Sequence, residues 1–338
     1  MIKVLAVDDS LVVRNILVQT LNSDPEIEVI GTASNGQEAI DRTLSLRPDV
    51  ILMDVDMPRM DGIEATRQIM TKCPTPILIV TSSAIRRARN LPFAAIKYGA
   101  VDLCEKPQNM ASYREMGAHL IKQVKVVSKL PVFRLAARDA RPPSRIPSAP
   151  KEPVAKIVAI GASTGGPSAL NQIFRRFPEE FPVPVVVVQH IGEPFLPGLV
   201  DWLEIESTNP VRIARAREVL YPGTVFFAPP GYQMTVGPMG TVRLSGDPPV
   251  NSCRPSIDVL FGSVAQSFGS GAVAALLTGM GEDGAEGMAA IKKAGGHTLA
   301  QDQDTSLVFG MPRAAMERGG VDNLVPLELI ARKITDWL

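Results

Sequence analysis

Residues 157–166 read IVAIGASTGG, an apolar run that leads through a glycine-rich turn into the start of a helix. A strand followed by a turn and a helix is the repeating unit of open parallel sheets. Apolar runs of the same kind recur through this half of the chain, at residues 156–160, 183–189, 225–228, 272–277 and 297–300. Because three of these runs are apolar almost throughout, they predict a parallel sheet that helices cover on both faces. Residues 237–245 look more like a short hairpin.

The N-terminal part of the chain shows the same alternation. Strand-like runs occupy residues 3–7, 29–33, 50–53, 77–80 and 101–104, and an amphipathic stretch follows at 111–129. Five such units predict a second doubly wound sheet. The expected fold class is therefore α/β, with two doubly wound domains whose sheets are mainly parallel.

A segment rich in proline and arginine separates the two series. Residues 131–153 contain six prolines and four arginines and show little apolar periodicity. This composition predicts an extended linker. We therefore expect a first domain over 1–125, a linker over 126–153 and a second domain over 154–338.

The overall composition argues against several classes of protein. The 338 residues carry 35 basic and 35 acidic side chains, a formal net charge of zero, which argues against a nucleic-acid partner. The longest apolar runs are too short to span a bilayer, so no membrane insertion is expected. The three cysteines are widely spaced without a metal-ligand pattern, and the paired aspartates of MIKVLAVDDS come too early for a secretory signal. Both features predict a cytoplasmic protein.

Acidic residues follow two of the N-terminal strands. Asp8 and Asp9 come after the first run, and Asp54 comes after the third. Parallel strands end on one side of a sheet, so these carboxylates are expected to share one crevice. A divalent cation would relieve their repulsion, and hard oxygen ligands suit Mg²⁺. One carboxylate could then attack a phosphoryl group, with Thr81 and Lys106, at the ends of the fourth and fifth runs, donating to its oxygens.

Ser163 lies in the turn of IVAIGASTGG, where the backbone N–H groups of a helix N-terminus favour negative charge. That position suits a nucleophilic oxygen and the oxyanion that it forms. Two other interpretations fit the same residues: the serine could simply cap the helix, or the turn could bind a dinucleotide. The dinucleotide is disfavoured because serine replaces the middle glycine. In addition, the next strand ends in Gln189 and His190 rather than in a ribose-binding acid.

A base and an acid follow two further apolar runs. His190 ends VPVVVVQH, and Asp283 lies in LLTGMGEDGAEGM. With Ser163 they would form a hydrolytic triad, in which the acid orients the imidazole and stabilises its protonated form. Glu282 and Glu286 lie in the same segment and compete with Asp283 for that role.

Residues 1–125 resemble the response-regulator receiver domain, through VDDS and VILMDVDMPRMDG. The resemblance implies that Asp54 accepts a phosphoryl group from a chemotaxis histidine kinase. It also implies that Asp9, with help from Asp8 and the backbone carbonyl of Asp56, holds Mg²⁺ for this reaction.

The receiver resemblance gives two further residues a sensing role. Thr81 and Lys106 would detect the phosphoryl group. Leu103 departs from the pattern, because many receivers have an aromatic residue three positions before the lysine. This departure concerns the conformational relay rather than the chemistry.

The second domain, from about residue 154, is similar to the catalytic domain of chemotaxis receptor methylesterases, which has a Rossmann-like fold. The matching motifs are GASTGGP, the QH strand end, LLTGMGEDGAEGM and AQDQDTSLVFGMP. The resemblance implies hydrolysis of glutamate methyl esters on methyl-accepting chemotaxis receptors, and deamidation of selected glutamines, without a cofactor for the ester reaction. It makes Ser163 the nucleophile, His190 the base and Asp283 the orienting acid.

The same resemblance implies supporting residues and a regulatory step. The Met280 N–H would help to form the oxyanion hole, and Thr164 would support the site. The unphosphorylated receiver would cover the active site, and phosphorylation would uncover it. Cys253 and Gln233 stand where histidine is common in the family, and both are expected to border the substrate groove.

Three rival functions remain. One is a phosphorylation-controlled binding protein that has lost catalysis, although the complete triad does not favour it. Another is a DNA-binding regulator, but the second domain is too long, too neutral and too regular in its βα pattern for a helix-turn-helix module. The third is a nicotinamide enzyme.

Overall fold

The computed structural model describes residues 1–81, 91–106, 110–129 and 156–338, with the backbone alone at residues 91 and 110–116. The chain divides into two compact units, 1–138 and 139–338. Most of the predicted linker, residues 130–153, lies outside the described residues. The domain boundaries named above therefore stay a prediction.

The first unit is a five-stranded parallel sheet with its helices. Its strands are β1 (Ile2–Val7), β2 (Ile27–Ala33), β3 (Val50–Met53), β4 (Ile77–Thr81) and β5 (Asp102–Glu105). Its helices are α1 (Leu11–Asn22), α2 (Gly36–Leu46), α3 (Gly62–Lys72), α4 (Leu91–Lys97) and α5 (Met110–Val127). The strand order is β2-β1-β3-β4-β5, with every pair parallel. Because the chain builds outwards in both directions, the sheet has a switch point between β1 and β3.

The side chains of β3 show how this sheet is covered. Ile51 and Met53 belong to one buried apolar cluster, whereas Val50 and Leu52 belong to another. Successive side chains of a strand point to opposite faces. The two clusters are therefore the two layers between the sheet and its helices, which explains why β3 is apolar at every position.

The second unit is a seven-stranded parallel sheet with a separate hairpin. Its parallel strands are β6 (Ile157–Ala162), β7 (Val185–Gln189), β8 (Val211–Ile213), β9 (Val225–Phe227), β12 (Ala272–Leu276), β13 (His297–Gln301) and β14 (Asn323–Val325). The hairpin pairs β10 (Gln233–Val236) with β11 (Val242–Ser245). The helices are α6 (Gly166–Phe174), α7 (Leu196–Glu206), α8 (Ile257–Phe268), α9 (Ala285–Lys293), α10 (Met311–Glu317) and α11 (Leu327–Asp336), with short 3₁₀ turns at Glu193–Phe195 and Gly269–Gly271.

Strand β6 lies at the centre of this sheet. The order is β14-β13-β12-β6-β7-β9-β8, and β6 pairs with β7 on one side and with β12 on the other. The chain first builds outwards through β7 and later returns to build outwards from β12. The carboxyl ends of these three strands therefore form the crevice in which doubly wound folds bind their ligands.

The predicted fold class is confirmed, and each predicted run corresponds to a strand. Sequence patterns missed β10, which precedes the predicted hairpin region 237–245, and also the two strands β8 and β14. Both lie at the edges of the sheet, have three residues and are only partly buried, so neither carries a long apolar run. Within the described part of the chain, no helix has the length and apolar character needed to cross a membrane.

Candidate functional site

Three adjacent strands of the second sheet end at one point. Ser163 follows β6, His190 follows β7, and Asp283 lies in the loop after β12. The His190 N–H donates to the Ala162 carbonyl at 2.9 Å, and the Ser163 N–H donates to the Thr278 carbonyl at 3.0 Å. These two bonds continue the strand ladders by one residue. They hold the backbones of Ser163 and His190 side by side at the switch point.

The turn that carries Ser163 depends on glycine. Helix α6 begins after Gly165, which has φ of +79° and makes no side-chain capping bond, so the interpretation of Ser163 as the helix cap is wrong. The Gly166 N–H donates to the Ser163 carbonyl at 2.7 Å and closes the turn. A Cβ on Gly279 would lie 2.7 Å from the Ser163 Cβ. Only glycine at position 279 therefore lets the loop after β12 approach the serine this closely.

His190 and Asp283 are in direct contact, with Nε2 and Oδ2 2.9 Å apart. The buried Asp283 carboxylate also accepts from Ser256 Oγ at 2.7 Å, the Ile257 N–H at 2.7 Å and Asn251 Nδ2 at 3.2 Å. Burial by itself raises the pKa of Asp283, but the hydrogen bonds from His190, Ser256 and Ile257 outweigh it and hold this pKa below its usual value. Asp283 is therefore an anion held against the imidazole.

The opposite edge of the imidazole faces a thiol. His190 Nδ1 lies 3.8 Å from Cys253 Sγ. Burial lowers the pKa of His190, but the hydrogen bonds with Asp283 and Cys253 outweigh it and raise the pKa to about 9. Both ring nitrogens are engaged in this way, and the described structure contains no hydrogen bond between Ser163 Oγ and His190. The serine is thus beside the His–Asp pair but not bonded to it.

The two competing acids of the same loop point elsewhere. Arg318 binds Glu282 and Glu286, each at 2.7 Å. Their side chains are 58% and 72% exposed, respectively. Of the three acids that the sequence left open, Asp283 alone meets the imidazole.

The two residues expected to support the reaction lie next to the serine turn. Thr164 is buried, and its carbonyl accepts from Thr278 Oγ1 at 3.0 Å. The Gly279 N–H donates to the Val308 carbonyl at 3.0 Å, whereas the next N–H, that of Met280, has no acceptor among the described residues. An N–H left open in this way is available to a substrate oxygen.

The motif AQDQDTSLVFGMP supports the loop after β12. Gln301 Oε1 accepts from the Thr278 N–H at 2.9 Å, and Gln301 Nε2 donates to the Thr305 carbonyl at 2.7 Å. The Val308 N–H donates to Thr278 Oγ1 at 2.9 Å. The motif therefore positions backbone rather than supplying a reacting group, a role that its sequence alone did not show.

The sequence led us to expect Gln233 at the border of the substrate groove, but the structure buries this residue instead. Its side chain is 2% exposed. Its amide nitrogen donates to the carbonyls of Pro248 at 3.1 Å and Cys253 at 3.3 Å, and its Oε1 accepts from the Ser256 N–H at 2.9 Å. Gln233 therefore fastens the segment that carries Cys253 and Ser256. Its partners lie 15 to 23 residues away in sequence, so no local pattern marks this role.

The acidic crevice of the first unit lies at its own switch point. Lys106 Nζ is 2.6 Å from Asp8 Oδ2 and 2.7 Å from Asp54 Oδ2. Burial of the Asp54 carboxylate outweighs the attraction of Lys106 and raises the pKa of Asp54 to about 6. Thr81 is completely buried, and its Oγ1 has no partner among the described residues. A buried hydroxyl without a partner is a donor available to a group that enters the crevice.

Two family models match the chain. One, the response regulator receiver domain, covers residues 4–118, and the other, the CheB methylesterase, covers residues 158–334. A Nitrosospira multiformis protein named protein-glutamate methylesterase/protein-glutamine glutaminase is 44% identical, across 99% of this chain and 97% of its own length.

The chain belongs to the CheB methylesterase family. A Syntrophus aciditrophicus protein with the name protein-glutamate methylesterase/protein-glutamine glutaminase 1 is 42% identical, across 98% of this chain and 97% of its own length. The crystal structure of the Thermotoga maritima CheB methylesterase catalytic domain superposes with a TM-score of 0.53 at 36% identity, covering 54% of this chain and 99% of that domain. Both resemblances drawn from the sequence are thereby confirmed, and this CheB-type chain is a hydrolase with a receiver domain.

The receiver of this CheB-type chain has a donor set that fits a hard divalent cation. Carboxylate oxygens of Asp8, Asp9 and Asp54 lie within 4.8 Å of one another. Oxygen ligands of this kind suit Mg²⁺, which keeps part of its water shell. Asp9 and Asp56 have exposed side chains, whereas Asp8 and Asp54 are buried.

Proposed function

We propose that this chain removes methyl groups from glutamate side chains of methyl-accepting chemotaxis receptors, deamidates selected glutamines there, and does so in the cytoplasm. The observation that carries the proposal is the contact between His190 and Asp283 beside Ser163, at the switch point of a CheB methylesterase fold. A serine, a base and an oriented acid at one crevice suit acyl transfer.

Ser163 Oγ attacks the ester carbonyl while His190 takes the hydroxyl proton. Because Nε2 is bound to Asp283, the proton goes to Nδ1, which faces the Cys253 thiol 3.8 Å away in the resting site. The imidazolium then protonates the leaving methoxide, and methanol departs. Water attacks the acyl-serine and gives a proton to His190, which passes a proton to Ser163 Oγ as the acyl bond breaks and glutamate is released. An amide takes the same route with ammonia as the leaving group.

Backbone and neighbouring residues assist these steps. The unoccupied Met280 N–H donates to the carbonyl oxygen as it becomes an oxyanion, an interaction that is strongest at the tetrahedral stage. Thr164 holds the turn through its bond with Thr278. The negative Asp283 stabilises the imidazolium that forms during both halves of the reaction.

Phosphorylation of the receiver raises this activity. Asp54 attacks the phosphoryl group of a chemotaxis histidine kinase, forming an acyl phosphate while the bond to the kinase histidine breaks. Lys106 and Thr81 bind the phosphoryl oxygens. Asp8, Asp9, Asp54 and the Asp56 carbonyl would hold Mg²⁺, which when bound would supply positive charge that offsets the crowded oxygens.

The test measures methanol released from methylated receptor membranes by the full chain, with and without acetyl phosphate and Mg²⁺. We expect Ser163→Ala to reduce release by about 10⁴-fold. Ser168→Ala, on α6, is the matched control and should stay near wild type. Asp54→Ala should no longer respond to acetyl phosphate. Full release by Ser163→Ala would refute the assignment of the nucleophile.

A second pair of variants tests the acid. Asp283→Asn should lower the rate by about 10⁴-fold, because the imidazole loses the anion that orients it. Glu282→Gln changes the neighbouring exposed acid and should have little effect. Equal losses in the two variants would show that the loop as a whole matters rather than the carboxylate of Asp283.

A further inference from the structure

The ester hydrolysis proposed above uses no reacting group from Cys253, although this residue contacts His190. Their Nδ1 and Sγ atoms lie 3.8 Å apart. The His190 side chain is 17% exposed, and Cys253 is partly exposed as well. His190, Cys253 and Asp283 form a group whose possible ligand atoms all lie within 4.8 Å of one another. A small solute can therefore reach both the thiol and the imidazole from solvent.

A tight turn holds the thiol in this place. Val250 and Cys253 exchange backbone hydrogen bonds of 3.1 and 2.8 Å, and the two residues between them, Asn251 and Ser252, have φ of +51° and +63°. This is a turn of type I′. Asn251 Nδ2 also donates to Asp283, so the backbone that carries the thiol is tied to the acid that holds the imidazole.

Asp283 acts as an orienting group rather than as a ligand in this cluster. Its two oxygens already accept from Ser256, Ile257 and Asn251 as well as from His190. When the imidazole donates its Nε2–H to this carboxylate, the lone pair of the neutral ring lies at Nδ1, facing the thiol. Metal-binding histidines almost always donate their second ring N–H to a carboxylate or carbonyl in this way.

We propose that His190 Nδ1 and Cys253 Sγ bind a zinc ion, and that the bound metal inhibits the hydrolase. With Zn–S of about 2.3 Å and Zn–N of about 2.0 Å at a tetrahedral angle, the two ligand atoms stand about 3.5 Å apart, close to the observed 3.8 Å. Thiolate and imidazole ligands favour zinc over Mg²⁺. Binding releases the thiol proton and the Nδ1 proton of the protonated imidazole to solvent, and water fills the remaining positions, so the site is weaker than a four-ligand structural site.

Inhibition follows from the lone pair that the metal uses. The Nδ1 pair is the one that accepts the proton of Ser163 in the proposed function, on which this part of the inference rests. A metal-bound imidazole cannot take that proton. Zinc would therefore stop the acylation step without displacing Asp283.

The metal site is tested with Co²⁺ as a coloured substitute for zinc. The metal-free full chain receives Co²⁺ in the presence of excess Mg²⁺, which fills the carboxylate crevice of the receiver. A bond between cobalt and thiolate gives a near-ultraviolet charge-transfer band, which oxygen ligands do not give. We expect one equivalent of this band in wild type and in Cys73→Ser, and none in Cys253→Ser. A band that persists in Cys253→Ser, or that is missing from wild type, overturns the proposal.

Two further variants test the role of His190 as a metal ligand and the role of Asp283 as the carboxylate that orients it. His190→Ala should weaken Co²⁺ binding at least tenfold, as should Asp283→Asn, because losing an orienting carboxylate lowers metal affinity by about 10–100-fold. Circular dichroism checks that each variant is folded. Unchanged affinity in a folded His190→Ala variant overturns the site.

The inhibitory step is tested by titrating Zn²⁺ into the methanol-release assay. Wild type should lose activity and regain it on addition of EDTA, whereas Cys253→Ala should require at least tenfold more zinc. A cobalt–thiolate band without inhibition would leave the metal site standing and overturn the blocking step, together with the role of His190 as base. A chain that releases no methanol would refute the proposed function, while the cobalt measurement would still decide the metal site.

Discussion

At the scale of single residues, Asp54 combines deep burial with a negative charge. Burial raises its pKa to about 6, despite the Lys106 ammonium 2.7 Å away, and Asp8 raises it further. A carboxylate that is poorly solvated at neutral pH is well disposed to react with an electrophile. Because it is poorly solvated, the ionised Asp54 carboxylate also destabilises the folded state.

We expect Asp54→Asn to stabilise the first unit above pH 6. Between pH 3.8, its usual pKa, and about 6 the folded chain keeps a proton that the unfolded chain releases, so the free energy of unfolding falls as pH rises through this window and stays lower above it. Asparagine should recover about 1–3 kcal/mol there and almost nothing below pH 4. Hydrogen exchange of β1 and β3 in EDTA measures the gain.

The exposed Asp41→Asn on α2 is the control for this comparison. It should show no gain that depends on pH. If Asp54→Asn raised the free energy of unfolding equally at pH 4 and pH 8, the effect would come from packing and not from the buried charge.

We expect His190 to set the pH dependence of the hydrolysis. Its pKa is raised to about 9 by the bonds with Asp283 and Cys253, and only the neutral imidazole can accept a proton. In metal-free buffer, kcat/KM should therefore rise with pH, reach half of its maximum near pH 9 and level off above that pH. Cys253→Ala removes one of the hydrogen bonds that raise this pKa, so the rise in kcat/KM should occur at lower pH in this variant. Cys73→Ala should leave the pH profile unchanged. A kcat/KM profile of the wild type with an apparent pKa at the ordinary histidine value would contradict this expectation.

At the scale of elements, the N-terminus of α8 is built around Asp283. The N–H groups of Ile257 and Asp258 donate to its carboxylate at 2.7 and 3.3 Å. Ser256 caps the helix and also donates to Asp283. A helix N-terminus stabilises negative charge. Asp283, the proposed orienting acid, is therefore held by a helix N-terminus as well as by His190 and Asn251.

Gln233 connects this helix start to the hairpin. We expect Gln233→Met to lower the free energy of unfolding of the second unit by about 1–3 kcal/mol, because the buried Ser256 N–H loses its acceptor. Gln266→Met, on the exposed face of α8, is the matched control. Hydrogen exchange should rise specifically in residues 248–258. A loss no larger than that of the control would mean that Gln233 does not fasten this segment.

At the scale of the molecule, each apolar cluster of the described residues lies within one unit. The clusters on the two faces of the first sheet contain residues up to Val127, and the cluster beneath the hairpin and α8 contains residues from Ile157 onwards. Each sheet thus buries its own side chains. Stability should accordingly be divisible between the two units.

Paired substitutions test this division. Leu52→Ala and Leu260→Ala each remove a completely buried side chain and should each cost about 2–5 kcal/mol. Hydrogen exchange should rise only in residues 1–129 for the first variant and only in residues 156–338 for the second. Increased exchange throughout the chain in either variant would mean that the units unfold together.

Local patterns in the sequence determined the central strands of both sheets and the positions of Asp54, Ser163 and His190 at strand ends. The apolar runs at 50–53 and 157–160 are long and uninterrupted, so they mark buried strands wherever the chain goes next. The residues that follow them lie at strand ends by necessity. Asp54, Ser163 and His190 could therefore be assigned to two crevices before the structure was known.

Only the tertiary structure decided which side chains meet in those crevices. The acid of the His–Asp pair is 93 residues from His190, and the thiol on the other edge of the ring is 63 residues away. Arg318 binds Glu286 and Glu282, which lie 32 and 36 residues before it in the sequence, and so keeps both side chains away from His190. Periodicity reports how a segment faces its own sheet, but it carries no information on which distant loop packs against that face. The choice of Asp283 and the place of Cys253 depend on such packing.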